Sequence, residues 1–423
     1  MVYVTQGYPP ERVGGVEVYL KGLVHELQKD HEVFVFSRGL ADYPAGKVYE
    51  SDDRGSRITR LSVDLRDIEG FRDIYMRPWI DELFEDYLKE VRPDVVHVQH
   101  LGGLSLGMVR TAADNGFPLV MTLSDHQPYC PRGQRIRNDK RVCKQINLDE
   151  CLECLMPQTA GLSGKAAKLS AYLLGKSRGI ELLKTMHQEI ADNFSCVHTF
   201  IMPSEFHRTK MVEAGVPEEN SCVIPYGLDL SQLDRVPPRP PNAPVRRFAY
   251  LGTLIPSKGV EDLISAFKRM KTPDCSLHIY GEAVPYHGIT DYDKRLVEMA
   301  RSADISFYGP YQPDELPRVL ERIDAVVMPS KWYESYGITI REAFRARRPV
   351  IVSDMGAFSE AVEHGGNGLK FQPGDVFELA EVMDKLAGNP ELAGNIASVG
   401  GPVLSIPEHA SKVLEIYREA KVS

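Results

Sequence analysis

The sequence predicts an α/β protein built from two doubly wound domains, each a mainly parallel sheet with helices on its faces. Short apolar runs alternate with amphipathic stretches along nearly all of the chain, which is the signature of strand–helix–strand units. At 423 residues the chain exceeds what one hydrophobic core holds comfortably. Residues 237–244 carry five prolines in eight positions, a composition that excludes helix and central strand and suits a semi-rigid connector.

In chain order, the first half has strand candidates at residues 2–5, 32–37, 94–98, 119–123, 197–202 and 222–225. Helical periodicity separates them: Val16, Tyr19, Leu20, Leu23 and Leu27 fall on one face of a 3.6-residue repeat. The second half repeats the pattern, with strands expected at 248–251, 277–280, 305–308, 325–328 and 350–353. The expected division is 1–230 for the first domain, with a cysteine-rich insertion at 124–160, and 231–403 for the second, followed by a final helical segment at 404–423.

Composition narrows the function. A formal charge of −9 argues against a general nucleic-acid binder, because phosphate backbones are held by clustered basic surface. No apolar run approaches the roughly 20 residues of a membrane span. The strand-like start at Met1-Val-Tyr-Val-Thr5 leaves no room for an export signal, so a cytoplasmic protein is expected. The basic, apolar stretch 164–178, with Lys165, Lys168, Lys176 and Arg178, reads either as a helix packed on its own domain or as a peripheral membrane contact at the inner face.

Cys130, Cys143, Cys151 and Cys154 follow a C-x12-C-x7-C-x2-C spacing. The closing C-x2-C can grip one metal and two further thiolates complete a tetrahedron, so a structural zinc is expected, with an iron–sulfur cluster or scattered reduced thiols as alternatives. A metal saturated by four thiolates would be a staple, not a catalyst.

The segment Glu334-Ser-Tyr-Gly-Ile-Thr-Ile-Arg-Glu342 lies where a strand gives way to a helix. Such a helix start turns free backbone N–H groups and its positive dipole end toward a crevice, a field that suits a diphosphate. Ser335, Tyr336, Ile338 and Thr339 make up that turn, and Gly337 lets a phosphate approach. Glu342 would accept hydrogen bonds from vicinal hydroxyls while Glu334 faces a sugar, because ionised carboxylates are pure acceptors. The alternative is an ordinary helix start with acids near its dipole. Upstream, Gly252 and Thr253 end a strand and Lys258 begins the next helix, where an ammonium can meet a leaving diphosphate. Gly309-Pro-Tyr311 follows the strand expected at 305–308, and Tyr311 joins the binding candidates of this half.

These motifs occur in a fixed order: 220–229, 250–259, 334–342, 348–354 and 363–368, preceded by the Gly14-Gly15 loop after the first strand and by Asp94-Val-Val-His-Val-Gln-His100. In that order the chain resembles glycosyltransferase family 4 over nearly its whole length. The resemblance implies the GT-B arrangement, two Rossmann-like domains facing across a cleft, with the final helix returning to the first. It implies retaining, metal-independent transfer from a nucleotide diphosphate sugar to a glycan, glycolipid or small-molecule acceptor, in polysaccharide or glycoconjugate assembly. Glu334 would bind donor-sugar hydroxyls, Glu342 the ribose and Lys258 the pyrophosphate, with the Gly14-Gly15 turn closing over it. Asp125 and His126 are the candidates for the active-site pair after strand 119–123, and His100 is a second histidine able to reach the cleft. This chain departs from the family in having Thr253 where an arginine is frequent, and Ser124-Asp125 where a histidine commonly precedes the aspartate. A nucleotide-sugar epimerase, a phosphorylase or a non-catalytic nucleotide-sugar-binding protein of the same fold stay open. A Rossmann dehydrogenase lacks its G-x-G-x-x-G here.

Overall fold

A computed structural model describes residues 1–40, 43–64, 66, 68–127, 129–139, 141–155, 175–240 and 242–421. The chain divides into two compact units: Met1–Asn138, Cys143–Gly227 and Ile406–Ser423 form one, Asp139–Val142 and Leu228–Ser405 the other.

The first unit is built on an eight-stranded sheet: β1 (Val2–Thr5), β2 (Phe34–Gly39), β3 (Val48–Asp53), β4 (Ser56–Ser62), β5 (Val96–Val98), β6 (Leu119–Thr122), β7 (Thr199–Met202) and β8 (Ser221–Val223). The spatial order is β3-β4-β2-β1-β5-β6-β7-β8, parallel throughout except for the β3–β4 hairpin. Every residue of β1, β5, β6 and β7 is buried, as expected of central parallel strands covered on both faces. The hairpin is absent from the sequence-based expectation. Its turn residues Arg54 and Gly55 both have positive φ, and the strand β3, Val-Tyr-Glu-Ser-Asp-Asp, is a largely exposed edge that shows no apolar run. From β1 the chain winds outward through β2, then returns to the other side with β5, so the strand order reverses between β1 and β5.

The helix Ile406–Ala420 belongs to this unit and packs on the helix Gly15–Leu27. Its Tyr417 hydroxyl meets Tyr3 Oη at 2.7 Å and His97 Nδ1 at 2.5 Å, and His409 Nε2 lies 2.6 Å from Tyr19 Oη. These buried polar contacts tie the end of the chain to β1 and β5. Most of the basic stretch 164–178 lies outside the described residues, and no described helix is long and apolar enough to cross a membrane.

The second unit holds a six-stranded parallel sheet of β9 (Arg247–Leu251), β10 (Ser276–Tyr280), β11 (Ile305–Gly309), β12 (Ala325–Met328), β13 (Val350–Ser353) and β14 (Leu369–Phe371), in the order β11-β10-β9-β12-β13-β14. Its core runs from Phe248 and Leu263 to Val352 and Met383, all fully buried. Here the winding reverses between β9 and β12. Both units are Rossmann-like, in the sense that each is a doubly wound sheet with one such switch point. The proline-rich segment lies within the second unit, where Arg348 Nη2 donates to Pro237 O at 3.2 Å and Arg239 Nη2 to Ala243 O at 2.9 Å.

Candidate active site

In the second unit, the loops that leave β9 and β12 meet above the switch point. Their approach depends on Gly259, which has φ +74° and whose position would put an added Cβ 2.0 Å from Pro329 O. Lys331 N donates to Ser257 O at 2.7 Å and locks the two loops together. The result brings side chains 76 residues apart into contact: Lys258 Nζ lies 2.7 Å from Glu334 Oε1. Ser330 Oγ at 2.6 Å and Trp332 Nε1 at 2.8 Å donate to the same oxygen. The Lys258 ammonium also sits 5.1 Å from the centre of the Trp332 ring. Glu334 is buried, so three donors on one oxygen hold its carboxylate in a single orientation.

Gly337, with φ +80°, starts the helix Ile338–Arg345, and a Cβ there would meet the Phe358 ring at 2.4 Å. Tyr336 is buried under the Arg341 guanidinium, while Ser335, Ile338 and Thr339 stay half-buried. Thr253 is exposed, and its carbonyl accepts from Tyr250 Oη at 2.8 Å beside Gly252. Glu342 is half-buried on the second turn of the helix, and among the described residues nothing donates a hydrogen bond to its carboxylate. Desolvation pushes its carboxyl up to about 7. Burial, and then the charge of Glu342, raise the Tyr311 phenol well above its ordinary range, which places that ring within electrostatic reach of the carboxylate. Glu334, Lys258, Glu342 and Tyr311 are thus four of the sequence-derived candidates gathered in one unit. Ser330 and Trp332 were missed; they lie four and two positions before Glu334 in a loop, where no periodicity marks them.

In the first unit, the loops after β5 and β6 enclose a cavity of about 80 Å³ whose polar end holds Gln99, His100, Ser124 and Asp125. His100 Nδ1 accepts from Gly102 N at 2.9 Å, which leaves Nε2–H to donate to Asp125 Oδ2 at 3.2 Å. Burial alone would raise the Asp125 carboxyl, but the charge and hydrogen bond of His100 and the Gln127 N–H at 2.8 Å outweigh it and hold Asp125 below the usual carboxylate range. His126 is not among the residues lining the cavity. It is buried, with its ring edge-on to His207 at 4.8 Å between centroids, and its charge also acts on Asp125, while His100 reaches Asp125 by the 3.2 Å hydrogen bond. Gly14 is the N-cap of the helix Gly15–Leu27, and a Cβ there would lie 2.6 Å from Glu17 Oε2; Glu17 is itself held by Arg12 at 3.2 Å and Gln6 Nε2 at 3.2 Å.

The cysteine expectation is corrected. Cys130, Cys143, Cys151 and Cys154 come within electrostatic reach of one another, yet among the described residues no group of three or more His, Cys, Asp or Glu side chains is arranged to hold a metal ion. Burial, reinforced by the neighbouring thiols, pushes Cys143 up to about 11 and Cys151 up to about 12, which keeps both protonated near neutral pH in the metal-free chain. The stapling is done by polar groups instead. Asn138 Nδ2 and Arg132 Nη1 donate to Cys154 O, and Arg137 pairs with Glu150 at 3.0 Å, fastening the helix Leu148–Leu155 to the preceding loop.

Comparison with known proteins agrees with this architecture. Residues 238–400 match the family model described as glycosyl transferases group 1, and residues 13–148 match that described as Glycosyltransferase Family 4. Glycogen synthase of Mycobacterium tuberculosis is 33% identical over 175 residues, which cover 40% of this chain and 41% of that protein. The chain thus spans about two fifths of that curated relative. Among solved structures, sucrose-phosphate synthase from Thermosynechococcus elongatus shares the fold with TM-score 0.69 at 16% identity, covering 99% of this chain and 98% of the other. HepE from Anabaena, crystallised with UDP and glucose, does so with TM-score 0.64 at 17% identity over 98% of each chain. With one glycosyltransferase model matching residues 13–148 and another residues 238–400, the chain is similar to the family 4 and group 1 glycosyltransferases in both parts of its sequence.

Proposed function

We propose that the protein moves a sugar from a nucleoside diphosphate sugar to a hydroxyl acceptor with retention at the anomeric carbon. The observation that carries this reading is the meeting of Lys258 and Glu334 over the β9–β12 switch point, with Glu342 on the helix that starts there. Ligands of doubly wound sheets bind at the carboxyl ends of the strands where the order reverses. A diphosphate seated at Gly337 faces the helix N-terminus and the Lys258 ammonium, the two groups able to meet charge growing on the leaving oxygen. Glu334, fixed by three donors through one oxygen, directs the other toward donor-sugar hydroxyls, and Glu342 takes the ribose. UDP, bound by the structural neighbour HepE, is the first nucleotide to test.

In the chemical step the bond from the anomeric carbon to the diphosphate oxygen breaks and a bond to the acceptor oxygen forms on the same face. The acceptor proton passes to the departing phosphate oxygen. Lys258 and the helix N-terminus supply the positive field, so the scheme needs no divalent ion. Asp125, with His100 orienting it, belongs to the acceptor side. A thermal-shift screen of UDP, ADP and GDP with their sugars tests the reading: at least one nucleotide should raise the melting temperature of the wild-type protein and not of Lys258→Ala. Absence of any nucleotide stabilisation of the wild type would overturn it.

A further inference from the structure

The cavity of the first unit has a composition that donor chemistry does not explain. Beyond its polar end the lining is hydrocarbon and aromatic: Phe71, Ile74, Leu106, Met121, Ile190 and Phe194. No lysine or arginine is among the described residues that line it, and Asp125 is the one carboxylate among them. In the polar end stands Gln99, fully buried, whose Oε1 has no hydrogen-bond partner among the described residues while Nε2 lies 3.1 Å from His97 Nε2. A buried amide oxygen left unmatched in an apolar pocket is an acceptor waiting for a donor, because leaving it dry is unfavourable. Turning the amide over merely leaves its other polar atom unmatched.

We propose that this cavity is the acceptor subsite and that it takes a hydroxyl compound whose neighbouring group is apolar, a ring or hydrocarbon chain, and not a phosphorylated or fully polar sugar. The reasoning rests on the transferase reading above, but its recognition is separate. The apolar lining buries the ring or chain, Gln99 Oε1 accepts from a polar hydrogen next to it, and the hydroxyl to be glycosylated lies beside Asp125, which is held by His100 and the Gln127 N–H. Binding pockets that are mostly apolar with a few convergent polar groups select in this way. A phosphate is disfavoured twice: no lysine or arginine is among the described residues that line the pocket, and Asp125 would repel it.

The test is ligand-observed NMR titration of the full-length protein with benzyl alcohol, 1-octanol, glucose and glucose 6-phosphate. Benzyl alcohol, octanol or both should bind about tenfold or more tightly than either sugar, as burial of a ring or chain requires; which of the two wins tells a ring from a chain. Ile74→Trp, which fills the cavity from a half-buried position, should abolish that binding, and Leu101→Trp at the mouth serves where the first variant melts early. Binding of neither alcohol, glucose 6-phosphate binding as tightly, or alcohol binding unchanged in a folded tryptophan variant would each overturn the proposal. Nucleotide-induced thermal shift, read on the same samples, reports the second unit, so failure of the transferase reading shows there and not in the alcohol titration.

Discussion

Among the described residues Glu342 has no ion pair, and desolvation lifts its carboxyl to about 7 from an ordinary 4.5. Ribose hydroxyls donating to it would favour the ionised form, so nucleotide affinity is expected to rise as pH increases from about 6 to 8 and then level off. Calorimetric titration of the nucleotide across that range should show this rise in the wild type and a flat, weaker profile in Glu342→Gln. The unliganded protein has the opposite dependence. The folded state keeps the proton between about 4.5 and about 7 while the unfolded chain has lost it, so this residue makes stability fall as pH rises through that window. The glutamine variant should lose that slope in pH-dependent denaturant melts. At Lys258 the expectation is kinetic: Lys258→Ala should lower kcat by about 100-fold or more, since the ammonium acts on charge that develops only as the diphosphate leaves. A change confined to donor KM would assign Lys258 to ground-state binding instead.

Among the elements, the central strands of both sheets were legible because a strand buried on both faces is a continuous apolar run. The β3–β4 hairpin was not. Its edge strand is acidic and exposed, β4 interrupts its apolar residues with Arg57 and Arg60, and an Arg-Gly turn lacks the usual Asn-Gly mark. The loop pair that forms the proposed donor site depends on one backbone position. Gly259→Ala should cost roughly 2 kcal/mol or more, visible as a lower Tm, because the backbone there is left-handed and the new methyl would collide with Pro329 O. Because the collision lies next to Lys258, the same variant should also weaken nucleotide binding; retained stability and binding together would show that the loops can part without loss.

On the scale of the molecule, the last helix is held to the first unit by Tyr417, whose hydroxyl serves both Tyr3 and His97 in a buried setting. Tyr417→Phe leaves those partners short and should destabilise the protein by about 1–3 kcal/mol in denaturant melts while leaving the nucleotide-induced shift in place. Turnover as a whole should be unaffected by EDTA in initial-rate assays; an absolute requirement for added manganese would reject the metal-free scheme. The α/β class and the positions of most core strands follow from local order along the chain, since the alternation of apolar runs and helical repeats is a property of neighbouring residues. So do the acidic pair at 334 and 342 and the lysine at 258, which are marked by what stands beside them. Tertiary structure alone decided that Lys258, Ser330 and Trp332 converge on one oxygen of Glu334, that His100 reaches Asp125, and that four suitably spaced cysteines form no metal-holding group among the described residues. Spacing specifies which side chains are available, but contact between distant residues is set by strand order and by how closely two backbones can approach.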